Sequence, residues 1–332
     1  MVYFRLFGYF SLLVILTAAS LFVISFILFT NGGDIVTSRY GQGRKTIFIN
    51  GSLLNEVYIE RIEHLTEACK KYKASASADS IWDNRDLLDH ILVDKKHKLL
   101  YCYVPKVACT NWKRIFMVLN GSTNETDVLS IPANLAHSRP EYLALSNYSI
   151  ADAKSLLNTY TKFIFVRHPF ERLLSAYRNK LEKNYINSKY FQSRLGRYII
   201  KHYREKPTNS SLVNGDDVTF EEFTAYLTKS MSSMYNEHWK PVERLCEPCQ
   251  IQYDFIGKYE TLITDSNYLL KSIGMGNISF PHNSKPSGTS KDLKKYFRKL
   301  SLNRIKELLD IYKLDFKLFS YTFQDLFGYE IA

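Results

Sequence analysis

Apolar positions fall into three regimes along the chain. From Leu6 to Phe29, 24 successive positions carry no charge. As a helix this run is about 36 Å long, enough to cross a hydrocarbon core of about 30 Å. From residue 30 to about 85 the pattern thins. Asn31-Gly32-Gly33, Gly41-Gln42-Gly43 and Ala74-Ser75-Ala76-Ser77-Ala78 flank one helix-like stretch, Val57 to Tyr72. From Asp86 onward, short apolar runs alternate with longer periodic segments. Ile91-Leu92-Val93, Leu99 to Val104 and Lys162 to Val166 predict strands apolar on both faces, as in a sheet covered by helices. Trp112 to Leu119, Phe170 to Leu181, Thr219 to Leu227 and Lys291 to Tyr312 predict helices. In the last, Leu293, Phe297, Leu300, Ile305, Leu308 and Leu309 form one stripe, which reads as core. The alternation predicts an α/β fold with a parallel sheet.

The uncharged run predicts an uncleaved signal anchor. A cleavable signal peptide ending at Thr17-Ala18-Ala19 is the competing reading, but Leu21 to Phe29 continues the run past that site. Flanking charges are too few to orient it. Six Asn-x-Ser/Thr sequons supply the orientation, at Asn50, Asn120, Asn124, Asn147, Asn209 and Asn277, all beyond the run. The expected organisation is a cytosolic tail over 1–5, a transmembrane anchor over 6–29, a lumenal stem over 30–85 and a folded domain over 86–332.

Charge and cysteines narrow the chemistry. The 332 residues carry 44 Lys+Arg against 33 Asp+Glu, a net charge of +11. Such an excess favours a polyanionic partner: nucleic acid, acidic glycan or anionic membrane. Of five cysteines (Cys69, Cys102, Cys109, Cys246, Cys249), two form a lone Cys246-Glu247-Pro248-Cys249. No second ligand pair suits zinc, and the setting predicts a local structural staple rather than a redox pair.

Two strand-to-helix junctions carry the candidate chemistry. The first ends a strand with Pro105-Lys106-Val107-Ala108-Cys109-Thr110-Asn111-Trp112-Lys113-Arg114. The second continues from Val166 into Arg167-His168-Pro169-Phe170-Glu171-Arg172-Leu173-Leu174-Ser175. Such a turn aims backbone N–H groups and a helix dipole at an anion. Lys106 adds a cation, Thr110 a hydroxyl, and Ala108 lets an anion approach the backbone. Arg167 can grip phosphate bidentately, Pro169 suits a first helical turn, and Ser175 sits about two turns on. The alternative is that Arg167 and Arg172 are surface cations and Ser175 faces a neighbour. The G-x-x-x-x-G-K-[ST] loop is absent, as is a clear magnesium-binding acidic partner, which argues against ordinary nucleotide hydrolysis or a kinase.

The stretch from Pro105 to Arg114 resembles the 5′-phosphosulfate loop of the Golgi carbohydrate 4-O-sulfotransferases. Arg167-x-Pro169-Phe170-Glu171-Arg172-Leu173-x-Ser175-Ala176-Tyr177-Arg178 resembles their 3′-phosphate motif. Further matches are Ile131-Pro132-Ala133-Asn134-x-Ala136-His137, Gly215-Asp216-Asp217-Val218-x-Phe220-Glu221-Glu222-Phe223, Asn236-Glu237-His238-Trp239, Gly257-Lys258-Tyr259-Glu260-Thr261-Leu262 and Tyr312-Lys313-Leu314-Asp315-Phe316. They run in order over about residues 87 to 320, and the chain most resembles the chondroitin 4-O-sulfotransferase branch. One departure is His168, where this branch is expected to carry an acidic residue.

The resemblance implies a P-loop-like parallel sheet flanked by helices, the sulfotransferase fold, in a type II Golgi membrane protein. It implies 3′-phosphoadenylyl sulfate as sulfate donor, held by Lys106 and its loop at one end and by Arg167 and Ser175 at the other, with no metal. The implied acceptor is the 4-hydroxyl of N-acetylgalactosamine in chondroitin, an acidic glycosaminoglycan. Dermatan or a terminal N-acetylgalactosamine on a glycoprotein is the alternative, and a glycan-binding protein without catalysis a more distant one. His137 is the candidate general base, with His238 second because Trp239 beside it suggests packing or sugar stacking. Nucleic acid is not an expected partner.

Overall fold

The structure is a computed structural model that describes residues 53–72, 81–123, 125, 127–138, 144–182, 186–282 and 289–323. The expected anchor over 6–29, the sequons Asn50 and Asn124, and most of the expected stem lie outside them. The body begins at Glu56.

Four strands form its sheet, in the order β1 (Ile91–Asp94), β2 (Leu99–Cys102), β3 (Thr161–Val166) and β4 (Phe255–Lys258). β2, β3 and β4 run parallel. β1 pairs antiparallel with β2, so the sheet is mixed rather than wholly parallel as the sequence suggested. The reason is chain length: residues 95–98 close a hairpin, whereas a parallel return needs a crossover of a dozen or more residues. All of β1 and β2 is buried, as is β3 beyond its first residue.

Aromatic rings fill the space beneath the first junction. Trp112 is fully buried and lies 4.9 Å from Phe163, 5.1 Å from Phe165 and 5.4 Å from Phe280, ring to ring. Such pairs contribute about 0.5–1.5 kcal/mol each beyond simple burial. Gly257 on β4 sits opposite Phe165, and a Cβ there would come within 2.2 Å of that ring, so a side chain would displace it.

Several helices depart from the sequence pattern for identifiable reasons. The predicted Lys291 to Tyr312 helix is two helices, Thr289–Phe297 and Leu302–Leu318. Ser301 starts the second by accepting from the Arg304 N–H, as an N-cap does. The predicted Phe170 to Leu181 helix is α-helical over Pro169–Tyr177 and π-helical over Arg178–Glu182. The helix Leu53–Tyr72, inside the stretch read as stem, is joined to the body. Its Arg61 pairs with Asp265 at 2.6 Å, and Tyr58 donates to the same carboxylate.

The cysteines correct the local-staple expectation. Cys69 bonds Cys249 and Cys102 bonds Cys246, across sequence separations of 180 and 144 residues. Left-handed Glu247 (φ 38°) divides the C-x-x-C between the helices Val242–Cys246 and Pro248–Ile251. Each then offers its cysteine to a different distant element. Cys109 is free and buried.

Candidate active site

β2 and β3 are parallel neighbours in register, with Cys102 opposite Ile164, so both junctions leave the same edge of the sheet. The first folds into a tight crook. Lys106 and Ala108 hold left-handed backbone conformations, φ 72° and 56°. For non-glycine residues such conformations cost of order 1–3 kcal/mol and cluster at functional sites. Ala108 caps the helix Cys109–Leu119 without a side-chain acceptor, so its first-turn N–H groups receive no side-chain cap. Burial pushes the Lys106 ammonium down to about 8, helped by Lys180, Arg167 and Arg172.

The second junction braces the first. Arg167 is buried, pairs with Glu171 at 3.1 Å, donates to the Lys106 carbonyl at 3.3 Å, and lies 4.0 Å over the Tyr259 ring. Ser175 is half-buried on the same helix. Arg172 is no surface cation: it is 1% exposed and donates to the carbonyls of Pro105, Lys240 and Glu237 at 3.0, 2.7 and 2.8 Å. It therefore ties the Lys106 crook to the turn that carries His238. Pro169, Phe170, Glu171, Leu173 and Leu174 are buried helix residues, and Phe170 stacks on Phe297.

His168 explains its own departure from the acidic residue expected there. Its Nδ1 accepts from the Phe170 N–H at 3.3 Å, so the imidazole caps the helix Pro169–Tyr177 as a carboxylate would. Its Nε2 must then donate to the Thr322 carbonyl, 3.2 Å away.

Two histidines approach the crook. Arg114 donates to Ile131 O at 2.8 Å and so fixes the approach to the helix Ala133–His137. The His137 Nε2 lies 2.9 Å from the Thr110 hydroxyl, so the inner edge of the ring is turned toward the donor loop. Thr110, predicted to face the anion, thus also contacts this ring. Desolvation pushes His137 down to about 4, and Lys113, Lys180 and Arg114 add to the effect. His238 sits on a turn anchored by Tyr312, which donates to Trp239 O at 2.6 Å. The Asn236 amide oxygen accepts from both the His238 N–H and its Nδ1, at 3.1 and 2.6 Å. An amide oxygen only accepts, so Nδ1 carries the proton and Nε2 the lone pair. Burial, then Lys180, Lys106 and Arg172, hold this histidine well below its ordinary value.

One participant escaped sequence reasoning. Lys180 is half-buried and influences Lys106, His137 and His238 alike. Arg172, expected within the 3′-phosphate motif, instead holds three backbone carbonyls. Lys180 has no sequence signal beyond its place after the second junction.

The sequons divide by exposure. Asn147, Asn209 and Asn277 are exposed. At Asn120 the Nδ2 atom, on which a glycan would be built, is buried without a hydrogen-bond partner among the described residues. Its Oδ1 meanwhile accepts from the Ser122 N–H and hydroxyl, at 3.0 and 2.6 Å.

Comparison with known proteins agrees with this geometry. The sulfotransferase family model matches residues 89–322. Carbohydrate sulfotransferase 11 of Rattus norvegicus is 43% identical over 278 residues, covering 82% of this chain and 77% of the relative. Carbohydrate sulfotransferase 14 of Danio rerio is 42% identical over 251 residues, covering 73% and 66%. Carbohydrate sulfotransferase 9 of Homo sapiens is 39% identical over 310 residues, covering 85% and 68%. No solved structure matches the chain significantly. With both basic junctions inside the matched span, the chain belongs to the sulfotransferase family.

Proposed function

We propose that this sulfotransferase moves a sulfuryl group from 3′-phosphoadenylyl sulfate to the 4-hydroxyl of N-acetylgalactosamine in chondroitin. The observation that carries the reading is the paired crook: Lys106 at the end of β2, braced by Arg167 from the end of β3. A donor with phosphate at both ends fits two adjacent cationic turns. Lys106 and the N–H groups of its helix hold the 5′-phosphosulfate, and Arg167, with Ser175 on the helix Pro169–Tyr177, faces the 3′-phosphate. Preorganised donors stabilise charge developing on the leaving phosphate. His137, next to Thr110 on the donor loop, takes the proton of the sugar hydroxyl.

The likeness to carbohydrate sulfotransferase 11 supports a carbohydrate acceptor, and the net charge of +11 supports an acidic one. Two long-range disulfides suit an oxidising compartment. We therefore place the catalytic body in the Golgi lumen, held by the anchor over 6–29 and glycosylated at Asn147, Asn209 and Asn277.

Labelled-sulfate transfer to desulfated chondroitin, dermatan and simple glycans tests the acceptor. Chondroitin is the expected preferred substrate, with activity on the polymer falling steeply as salt rises and the screening length shortens to about 10 Å at 0.1 M. A salt-insensitive enzyme that prefers neutral glycans contradicts the acceptor assignment.

A further inference from the structure

Four cations gather at the donor crook, and two of them also hold the protein. Arg172 is spent on three backbone carbonyls, and Arg167 shares its guanidinium between the donor site and contacts to Glu171 and the Lys106 carbonyl. The ammonium groups of Lys106 and Lys180 make no hydrogen bond or salt bridge among the described residues. Lys180 Nζ lies 4.8 Å from the centre of the Phe191 ring, and the Glu237 carboxylate is near enough to favour its charge.

The backbone holding Lys180 is built for the purpose. It lies in the π-helical turn Arg178–Glu182, which directly continues the helix bearing Arg172 and Ser175. π-turns are rare and recur at functional sites. This one is pinned on both sides. Arg178 pairs with Asp292 at 2.6 Å and Glu182 at 3.4 Å. The Asn179 carbonyl accepts from Ser188, and the Leu181 carbonyl from Gln192, both buried side chains. The Phe191 ring that Lys180 covers lies 5.6 Å from the His238 ring, centre to centre, so this partly buried ammonium on a fixed turn stands beside the histidine turn and is placed for an anion that sits between donor and acceptor.

Resting on the donor reading above, we propose that Lys180 is a further catalytic residue, whose ammonium contacts the sulfuryl oxygens of the donor opposite Lys106. In the transfer step the acceptor hydroxyl oxygen forms a bond to sulfur and gives its proton to the base. The bond between sulfur and the bridging oxygen of the 5′-phosphate breaks, and its electron pair leaves on adenosine 3′,5′-bisphosphate. Lys106 faces the leaving phosphate, and Lys180 faces the group in flight.

The test separates the sulfuryl group from the rest of the donor, because adenosine 3′,5′-bisphosphate lacks it. In the full chain, Lys180→Met keeps an apolar stem against Phe191 and removes the charge. Its kcat should fall by about 10²–10³-fold, the range for losing one transition-state donor. Bisphosphate affinity, acceptor KM and melting temperature should stay at wild-type values, and Lys180→Arg should restore part of kcat. Bisphosphate affinity that falls in step with kcat makes Lys180 a phosphate binder and overturns the proposal. So does a raised acceptor KM at unchanged kcat, which makes it a carboxylate holder. A melting temperature lowered equally by Lys180→Met and Lys180→Arg overturns it as well. A wild-type chain that transfers no sulfate from this donor fails the donor reading itself, a separate result.

Discussion

His137→Ala lowers kcat by about 10²–10⁴-fold, the contribution of a positioned general base, while adenosine 3′,5′-bisphosphate binds as before. The ring's hydrogen bond is to the Thr110 hydroxyl, so the substitution leaves Lys106, Arg167 and the loop N–H groups in place. The pH profile carries the same information. A base works in its neutral form, and the free enzyme holds His137 down to about 4. Lys106 works protonated, and burial lowers it to about 8. Hence kcat/KM, which reports the free enzyme, falls as pH drops through about 4 and falls again as it rises through about 8. The acid limb of kcat lies higher, because bound phosphates favour the imidazolium. An acid limb that persists unchanged in His137→Ala, with near-wild-type turnover, ends the assignment and moves the search to the Nε2 of His238.

The second large effect is on stability. Cys102 ends β2, three residues before the donor crook begins, and its disulfide to Cys246 closes a separation of 144 residues. The Cys102→Ala/Cys246→Ala pair should lose about 2–5 kcal/mol, the range for removing a native disulfide of long span. That is a large share of a total that is typically about 5–15 kcal/mol. The helix Val242–Cys246 has a second anchor, since the Asp315 carboxylate accepts the Val242 and Glu243 N–H groups at 2.8 Å each. The double variant should therefore fold and bind donor at low temperature while unfolding at lower guanidinium concentration. An unchanged denaturation midpoint would show that the bridge adds nothing beyond this network.

These two sites show what the sequence disclosed. β2, β3 and their basic ends were legible because buried strands read as unbroken apolar runs, and a cation after such a run marks the turn. His137 and His238 were legible only through resemblance; neither stands out by spacing. The disulfides were not legible because Cys246 and Cys249 are close in sequence, while left-handed Glu247 separates them in space. β1 runs opposite to expectation because a four-residue return outweighs the α/β rhythm. The helix Leu53–Tyr72 was set aside as stem because its contacts, Arg61 and Tyr58 to Asp265, reach across about two hundred residues. Lys180 was not singled out, and Arg172 was expected on the donor rather than on the backbone, for a related reason. Charge alone does not say whether a cation holds the backbone, as Arg172 does, or makes no hydrogen bond or salt bridge among the described residues, as is true of Lys180.

Calorimetric titration of adenosine 3′,5′-bisphosphate into the purified protein and its Lys106→Ala and Arg167→Ala forms tests the paired crook most directly. Wild type should bind and ATP should compete poorly. Each substitution should weaken binding by about 10–100-fold, the equivalent of about 1.5–3 kcal/mol for a charged hydrogen bond, in protein that still melts cooperatively. Equal affinity in all three forms, or no binding by wild type, would contradict the account.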